Sequence, residues 1–199
     1  MTEATKPTLK ERQWSLREDA ILDAASELMS GKGYNAMTMD DVANLVGISK
    51  ATLYLHFSSK HDLVVSVACR TLDRAFEGMR EVDLNLPAGE QLAQLIERVV
   101  KARFGSDSPP FIEAVSELIE ILGSDHPFMQ KERRNIDLIA QVIQRAADTG
   151  ALNDGIANCV AVHMLLGTLR CIELEKAIEE GRTTTEEISS SLRHMLLKS

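Results

Sequence analysis

The chain has 199 residues, is 44% hydrophobic and carries a formal net charge of −8. That supplies one or two small cores, and five Pro with eleven Gly exclude a low-complexity chain. No run of about 18 uninterrupted apolar residues exists, and MTEATKPTLKERQWSLRED lacks the apolar centre of a secretory signal, so no membrane span is expected and cytosol is the default.

The acidity is uneven. Residues 1–60 hold seven Lys/Arg against eight Asp/Glu, and residues 61–199 hold fifteen against twenty-two. Any contact with nucleic acid must use a local basic face rather than bulk charge. Cys69, Cys159 and Cys171 are odd in number, far apart and without C-x-x-C spacing. They read as reduced, semi-buried apolar residues, with a redox or metal role the lesser alternative.

In chain order, the spacing predicts a first helix over 15–32. Ser15 and Glu18 have capping-box spacing, Ile21, Leu22, Ala25, Leu28 and Met29 form a stripe, and Gly33 supplies the stop. Thr38 with Asp41 repeats the capping pattern and opens a short second helix, which Gly47 ends. Ser49 caps a third, from Lys50 to about Phe57. Two short helices joined by a turn holding a Gly are a helix-turn-helix arrangement. A fourth helix runs from after Ser59 to about Arg80, followed by a loop at DLNLPAG. Further helices are expected over 89–104, after SDSPP to Leu122, from Pro127 to about Asp148, over 155–180 with Asn153 or Asp154 as cap, and over 185–197 behind Thr184 or Thr185. No strand alternation and no internal repeat is visible. The class is all-α, with about nine helices.

The third helix, in SKATLYLHFSSK, carries the chemistry. At about 100° per residue Leu53 and Phe57 share one face and serve as anchors. Ala51, Thr52, Tyr54 and Leu55 fall on the opposite and flanking faces. Small Ala51 lets the backbone approach a groove, and exposed Ala, Thr or Leu suits a thymine methyl. Lys50 can reach a base edge or a phosphate, while Thr38, His56 and Lys60 can fix register on phosphates. The helix starts near Thr38, Ser49 and Ser59 add oriented N–H donors. An ordinary capped surface helix is the competing reading of the same residues.

The stretch ILDAASELMSGKGYNAMTMDDVANLVGISKATLYLHFSSKHDLV strongly resembles the DNA-binding domain of the TetR (TetR/AcrR) family of transcriptional regulators. The anchors are Gly33-Tyr34, Thr38, Asp41-Val42-Ala43, Gly47-Ile48-Ser49, Leu53-Tyr54, His56-Phe57, Lys60 and Leu63. The resemblance covers about residues 15–65. It implies an N-terminal helix-turn-helix domain at 15–62, a helical effector-binding and dimerisation domain at 63–199, and a homodimer. It also implies DNA contacts at Thr38, Ser49, Lys50, Ala51, Thr52, Tyr54, His56 and Lys60. Lys50, Ala51 and Thr52 would read base edges, and Thr38, Tyr54, His56 and Lys60 would hold phosphates. Residues 1–14, with Lys6, Lys10, Arg12 and Trp14, form either an arm that touches DNA or a disordered tail, the tail being favoured.

A dimer interface is expected from the last two helices, through Ala157, Ala161, Met164, Leu165, Gly167, Ile172, Ile188, Leu192 and Met195, although intrachain core competes for them. An effector pocket, placed by the resemblance among the fourth to seventh helices, could be lined by Phe76, Met79, Phe104, Phe111, Leu118, Leu122, Phe128 and Met129. Each also suits ordinary core. Glu113, Glu117 and Glu120 read as a solvated face, not a metal site. No catalytic constellation and no cofactor motif is visible. The expected function is a dimeric regulator, a repressor released from a pseudo-palindromic double-stranded operator by a small apolar effector. An activator or ligand-independent regulator of this fold, or a small-molecule-binding protein without DNA binding, is the alternative.

Overall fold

In the computed structural model, which describes residues 8–105 and 126–198, the first helix starts at Thr8 rather than Ser15. Thr8 and Glu11 have the same spacing as Ser15 and Glu18, one stretch earlier. The Thr8 N–H donates to Glu11 Oε2 at 2.7 Å and the Glu11 N–H returns to Thr8 Oγ1 at 3.2 Å. Helix α1 therefore runs Leu9–Ala36, and residues 9–14, expected as arm or tail, are helical. Gly33 does interrupt it: at φ 79° and ψ 160° it bends the chain, and one further turn leads to Met37. Only glycine adopts that conformation without strain.

Helices α2 (Met39–Val46) and α3 (Lys50–His56) follow as expected. Gly47 takes the left-handed conformation, φ 75°, and the Ile48 N–H reaches back to Ala43 O at 3.0 Å, which satisfies a carbonyl at the end of α2. Helix α1 packs on α2 and α2 on α3. Ile21, Val42, Leu53 and Leu63 are fully buried and Phe57 nearly so. Helix α4 (Lys60–Arg80) follows α3 after three residues, Phe57, Ser58 and Ser59.

The chain divides into two compact units after Ala68, within α4. The second unit contains the end of α4, then α5 (Ala88–Phe104), α6 (Pro127–Asp148), α7 (Asn158–Leu169), α8 (Ile172–Glu179) and α9 (Thr185–Leu196). That makes nine helices and no strand among the described residues. Helix α5 packs against α6 and α9, and α6 against α7. Leu92, Leu95, Ile96, Val100, Ile143, Leu165 and Leu196 are wholly enclosed in this core.

Two expectations fail here for one reason: the deciding contacts are distant in sequence. The single helix expected over 155–180 is two, parted at Arg170-Cys171. Arg103 of α5 holds the break. Its Nε donates to Leu169 O at 2.9 Å and its Nη2 to the Glu175 carboxylate at 2.8 Å. A carbonyl that the next helical turn would have used is thus satisfied from outside. Asn153 does not cap α7, whose N-cap is Ala157. Its Nδ2 donates instead to His194 O and Met195 O, at 3.1 and 2.8 Å, at the end of α9. The helix expected from SDSPP to Leu122 lies outside the described residues.

Within the second unit α4 is tied to α6 by polar contacts. Asp73 is gripped by Lys131 at 2.6 Å and Arg134 at 3.0 Å. The buried Asn135 donates to Leu72 O at 2.9 Å.

Candidate nucleic-acid interface

The local chemistry of α2 and α3 sets which side chains point outward. Thr38 accepts from the Asp41 N–H at 3.2 Å, and its own N–H and Oγ1 donate to Asp41 Oδ2 at 2.8 and 2.6 Å. Lys32 closes on the same carboxylate at 2.6 Å. The Lys32 ammonium first, and then the Thr38 donors, hold Asp41 down at about 2, from an ordinary 3.8. A depressed folded value means this cap is intact above the ordinary carboxylate range and is lost as pH falls through about 2. The thermal stability of the wild type is therefore expected to drop between pH 4 and pH 2 more steeply than that of Asp41→Asn, which starts lower at neutral pH. Melting curves followed by circular dichroism check this.

Ser49 caps α3 by accepting from the Thr52 N–H at 3.0 Å, and its hydroxyl lies 2.8 Å from Thr52 Oγ1. Leu53 and Phe57 face the core, at 0% and 3% exposure. The other side of α3 stands open: Ala51 is exposed, Tyr54 is 45% exposed and Leu55 72%. Burying a Leu stabilises it by about 1.5–3 kcal/mol, so an outward Leu55 beside Tyr54 marks a surface that a partner can cover.

The cations nearby hold internal partners. Lys50 Nζ lies 2.8 Å from Asp40, whose carboxylate raises the lysine above its ordinary value. Lys60 Nζ sits 4.2 Å from the centre of the Tyr34 ring and donates to Asn35 O at 3.4 Å. Burial pushes Lys60 downward. His56 stands apart. The Trp14 ring stacks on it at 3.7 Å between centroids, and both ring nitrogens are buried without a hydrogen-bond partner. Burial pushes His56 below its ordinary value. Sequence reasoning placed Trp14 in an arm or, by preference, a disordered tail, and missed this contact. The missed signal was the Thr8–Glu11 box, which makes residue 14 helical.

In the second unit the expected pocket residues separate. Phe76 lines an open cleft of about 440 Å³ with Gln130, Arg133, Arg134, Asp137, Leu138 and Gln141. Arg134 lies over its ring at 3.7 Å. Met79, Phe104 and Phe128 are buried, at 3%, 8% and 4% exposure. Their helical spacing points them inward, where neighbouring helices close over them. Met129 is half-buried, and Phe111, Leu118 and Leu122 lie outside the described residues.

The expected dimer residues separate likewise. Ala161, Leu165, Ile188 and Leu192 are buried in the chain's own core. Ala157 and Gly167 are exposed, Met164 and Ile172 half-buried, and Met195 is 43% exposed. The exposed Val160, at 49%, was not anticipated.

A left-handed Gly turn between two capped short helices, the second outward-facing and anchored by two residues, is the helix-turn-helix arrangement of a DNA-binding unit. Comparison with known proteins agrees. Residues 21–67 match the family described as bacterial regulatory proteins, tetR family. The HTH-type transcriptional regulator EthR of Mycolicibacterium smegmatis is 30% identical over 190 residues, which cover 92% of this chain and 85% of that protein. The chain belongs to the tetR family of bacterial regulatory proteins. The HTH-type transcriptional activator FasR of the same organism is 43% identical over 65 residues, which cover 33% of this chain and only 30% of FasR. Among solved structures, AibR in complex with isovaleryl coenzyme A and operator DNA superposes with a TM-score of 0.73. It is 22% identical, over 91% of this chain and 98% of that one.

Proposed function

We propose that the chain is a homodimeric repressor that leaves a pseudo-palindromic operator when a small effector binds its second unit. The observation that carries this reading is the outward face of α3, with Ala51, Tyr54 and Leu55 exposed above the Leu53–Phe57 anchor. Lys50, Ala51 and Thr52 read base edges, and Thr38, Tyr54 and Lys60 hold phosphates, with Ser49 supplying the helix start. The exposed apolar groups of α7 and α9, Val160 and Met195 with Gly167 between helices, form the contact with a second copy. Two copies of α3 then enter successive major grooves, about 34–36 Å apart. AibR, whose structure holds both an acyl thioester and operator DNA, supports a small-molecule switch. Among the described residues no helix is long and apolar enough to cross a membrane, and a cytosolic site of action fits the family.

The switch is mechanical. An effector that binds one arrangement of α4 more tightly than the other shifts the population, and only that difference in affinity drives release. Activation is the second reading, favoured by the likeness to FasR, a named activator. A reporter assay with and without the operator separates the two.

Selection of bound duplexes from a randomised pool at two salt concentrations tests DNA recognition. An inverted repeat whose binding weakens with salt is expected; a folded protein that enriches nothing refutes the proposal. Lys60→Ala is expected to weaken binding alike on all sequences and to reduce the salt slope by about one. Lys50→Ala or Thr52→Ala is expected instead to change the preferred sequence, at about 1–3 kcal/mol per lost contact. An unchanged salt slope for Lys60→Ala sinks its phosphate role.

A further inference from the structure

His56 is the one group of the DNA-facing set that the free protein conceals. A neutral imidazole has one donor and one acceptor nitrogen. Here both are buried and neither has a partner, an arrangement that costs the free protein stability and calls for a function in another state. The cover is a single side chain. Trp14 stacks on the imidazole at 3.7 Å with the planes 27° apart, and is itself 40% exposed. Every residue from Thr8 to Arg17 is exposed, so the start of α1 offers the indole little other support. The ring it covers ends the helix that faces outward. Its charged neighbours on α1 oppose each other: Glu18 favours a proton on the ring and Arg17 disfavours it. Lys60, at the start of α4, is turned to Tyr34 and Asn35 instead. The partner that fits two buried nitrogens at the end of α3 is an anionic oxygen, because the imidazolium donates from both.

We propose that His56 is a covered phosphate ligand: operator binding moves the Trp14 indole off its ring, a DNA phosphate takes the indole's place, and the imidazole accepts one proton from bulk water. This rests on the reading of the chain as an operator-binding protein and adds to it a proton linkage and a moving residue. No bond between heavy atoms changes; one N–H bond forms on the ring as a hydronium or buffer acid gives up its proton.

The sign follows from the two states. In the free protein burial holds the ring neutral below its ordinary range. Beside a phosphate the charged form is favoured, so the bound value is the higher one. Operator affinity therefore rises as pH falls through the bound value and levels off below the free value. Each unit between the two contributes about tenfold in affinity for each subunit bound.

The experiment is a titration of labelled operator, recovered from the randomised pool, with intact protein between pH 5.5 and 8.5 at fixed ionic strength. The wild type is expected to bind about tenfold more tightly at the acidic end. His56→Gln is expected to bind with little pH dependence, while His61→Gln, on α4, keeps the wild-type slope. Trp14 is the chain's only tryptophan, so its emission is expected to change on adding operator. Trp14→Ala removes the cover and is expected to bind more tightly at pH 8. Circular dichroism confirms that each variant is folded. A pH slope that survives in folded His56→Gln overturns the proposal, as does unchanged Trp14 emission on binding. A wild type that binds with no pH dependence overturns it while leaving operator recognition standing. A folded wild type that binds no duplex at any pH overturns both.

Discussion

Leu53→Ala is expected to abolish operator binding by melting the first unit's core. Leu53 is fully buried at the centre of a helix of only seven residues. So short a helix has almost no stability of its own and is held by its anchors. Truncating a buried Leu costs about 2–5 kcal/mol, part of it the cavity left behind. That is a large share of the 5–15 kcal/mol that keeps a typical domain folded. Hydrogen exchange should show amides of α2 and α3 losing protection first. Leu53→Met, which nearly conserves volume, is expected to stay within about 1.5 kcal/mol of wild type and to keep binding DNA. Equal damage from both substitutions would mean that the branched shape of Leu53, and not its volume alone, holds the core.

Arg103→Ala is the second large effect. The guanidinium answers Leu169 O and the Glu175 carboxylate at once, with side-chain exposures of 12% and 25% across the ion pair. Removing one partner of a buried pair costs about 3–5 kcal/mol. Glu175 keeps a quarter of its surface in water, so about 2 kcal/mol is expected here. A fall in the denaturant midpoint without a change of slope would show it. Arg103→Lys should recover little of this loss, because an ammonium cannot span a carbonyl and a carboxylate with the same planar geometry. Full rescue by Lys would show that only the charge is needed.

The legible parts of this fold are those that short spacing decides. Thr38 with Asp41, the turn at Gly47 and the Ser49 cap each depend on neighbours within a few residues, and each stands where the spacing put it. Where two copies of one signal compete, spacing alone does not choose: Thr8–Glu11 displaced Ser15–Glu18, and with it the expected start of α1. The break before α8 depends on Arg103, a side chain of another helix, so no local pattern announces it. Apolar periodicity gave the stripes of α7 and α9 but not their destinations. Leu165 and Leu192 went to the core, while Val160 and Met195 remained outside. The outward residues of α3 were legible because the face opposite a two-residue anchor is fixed by helix geometry. The Trp14 cover was not, since it joins residues from separate helices.

Lys50 is held by Asp40 before any duplex arrives. On the proposal that Lys50 meets DNA, the carboxylate occupies the lysine as a phosphate would and is a built-in rival to nucleic acid. A random sequence offers only backbone charge in exchange, and the trade gains little. A correct base edge offers directed hydrogen bonds as well, and only there does the exchange favour leaving Asp40. Such self-competition lowers residence on the many wrong sites of a chromosome more than on the right one. On that proposal Asp40 trades some strength of the final grip for discrimination between sites.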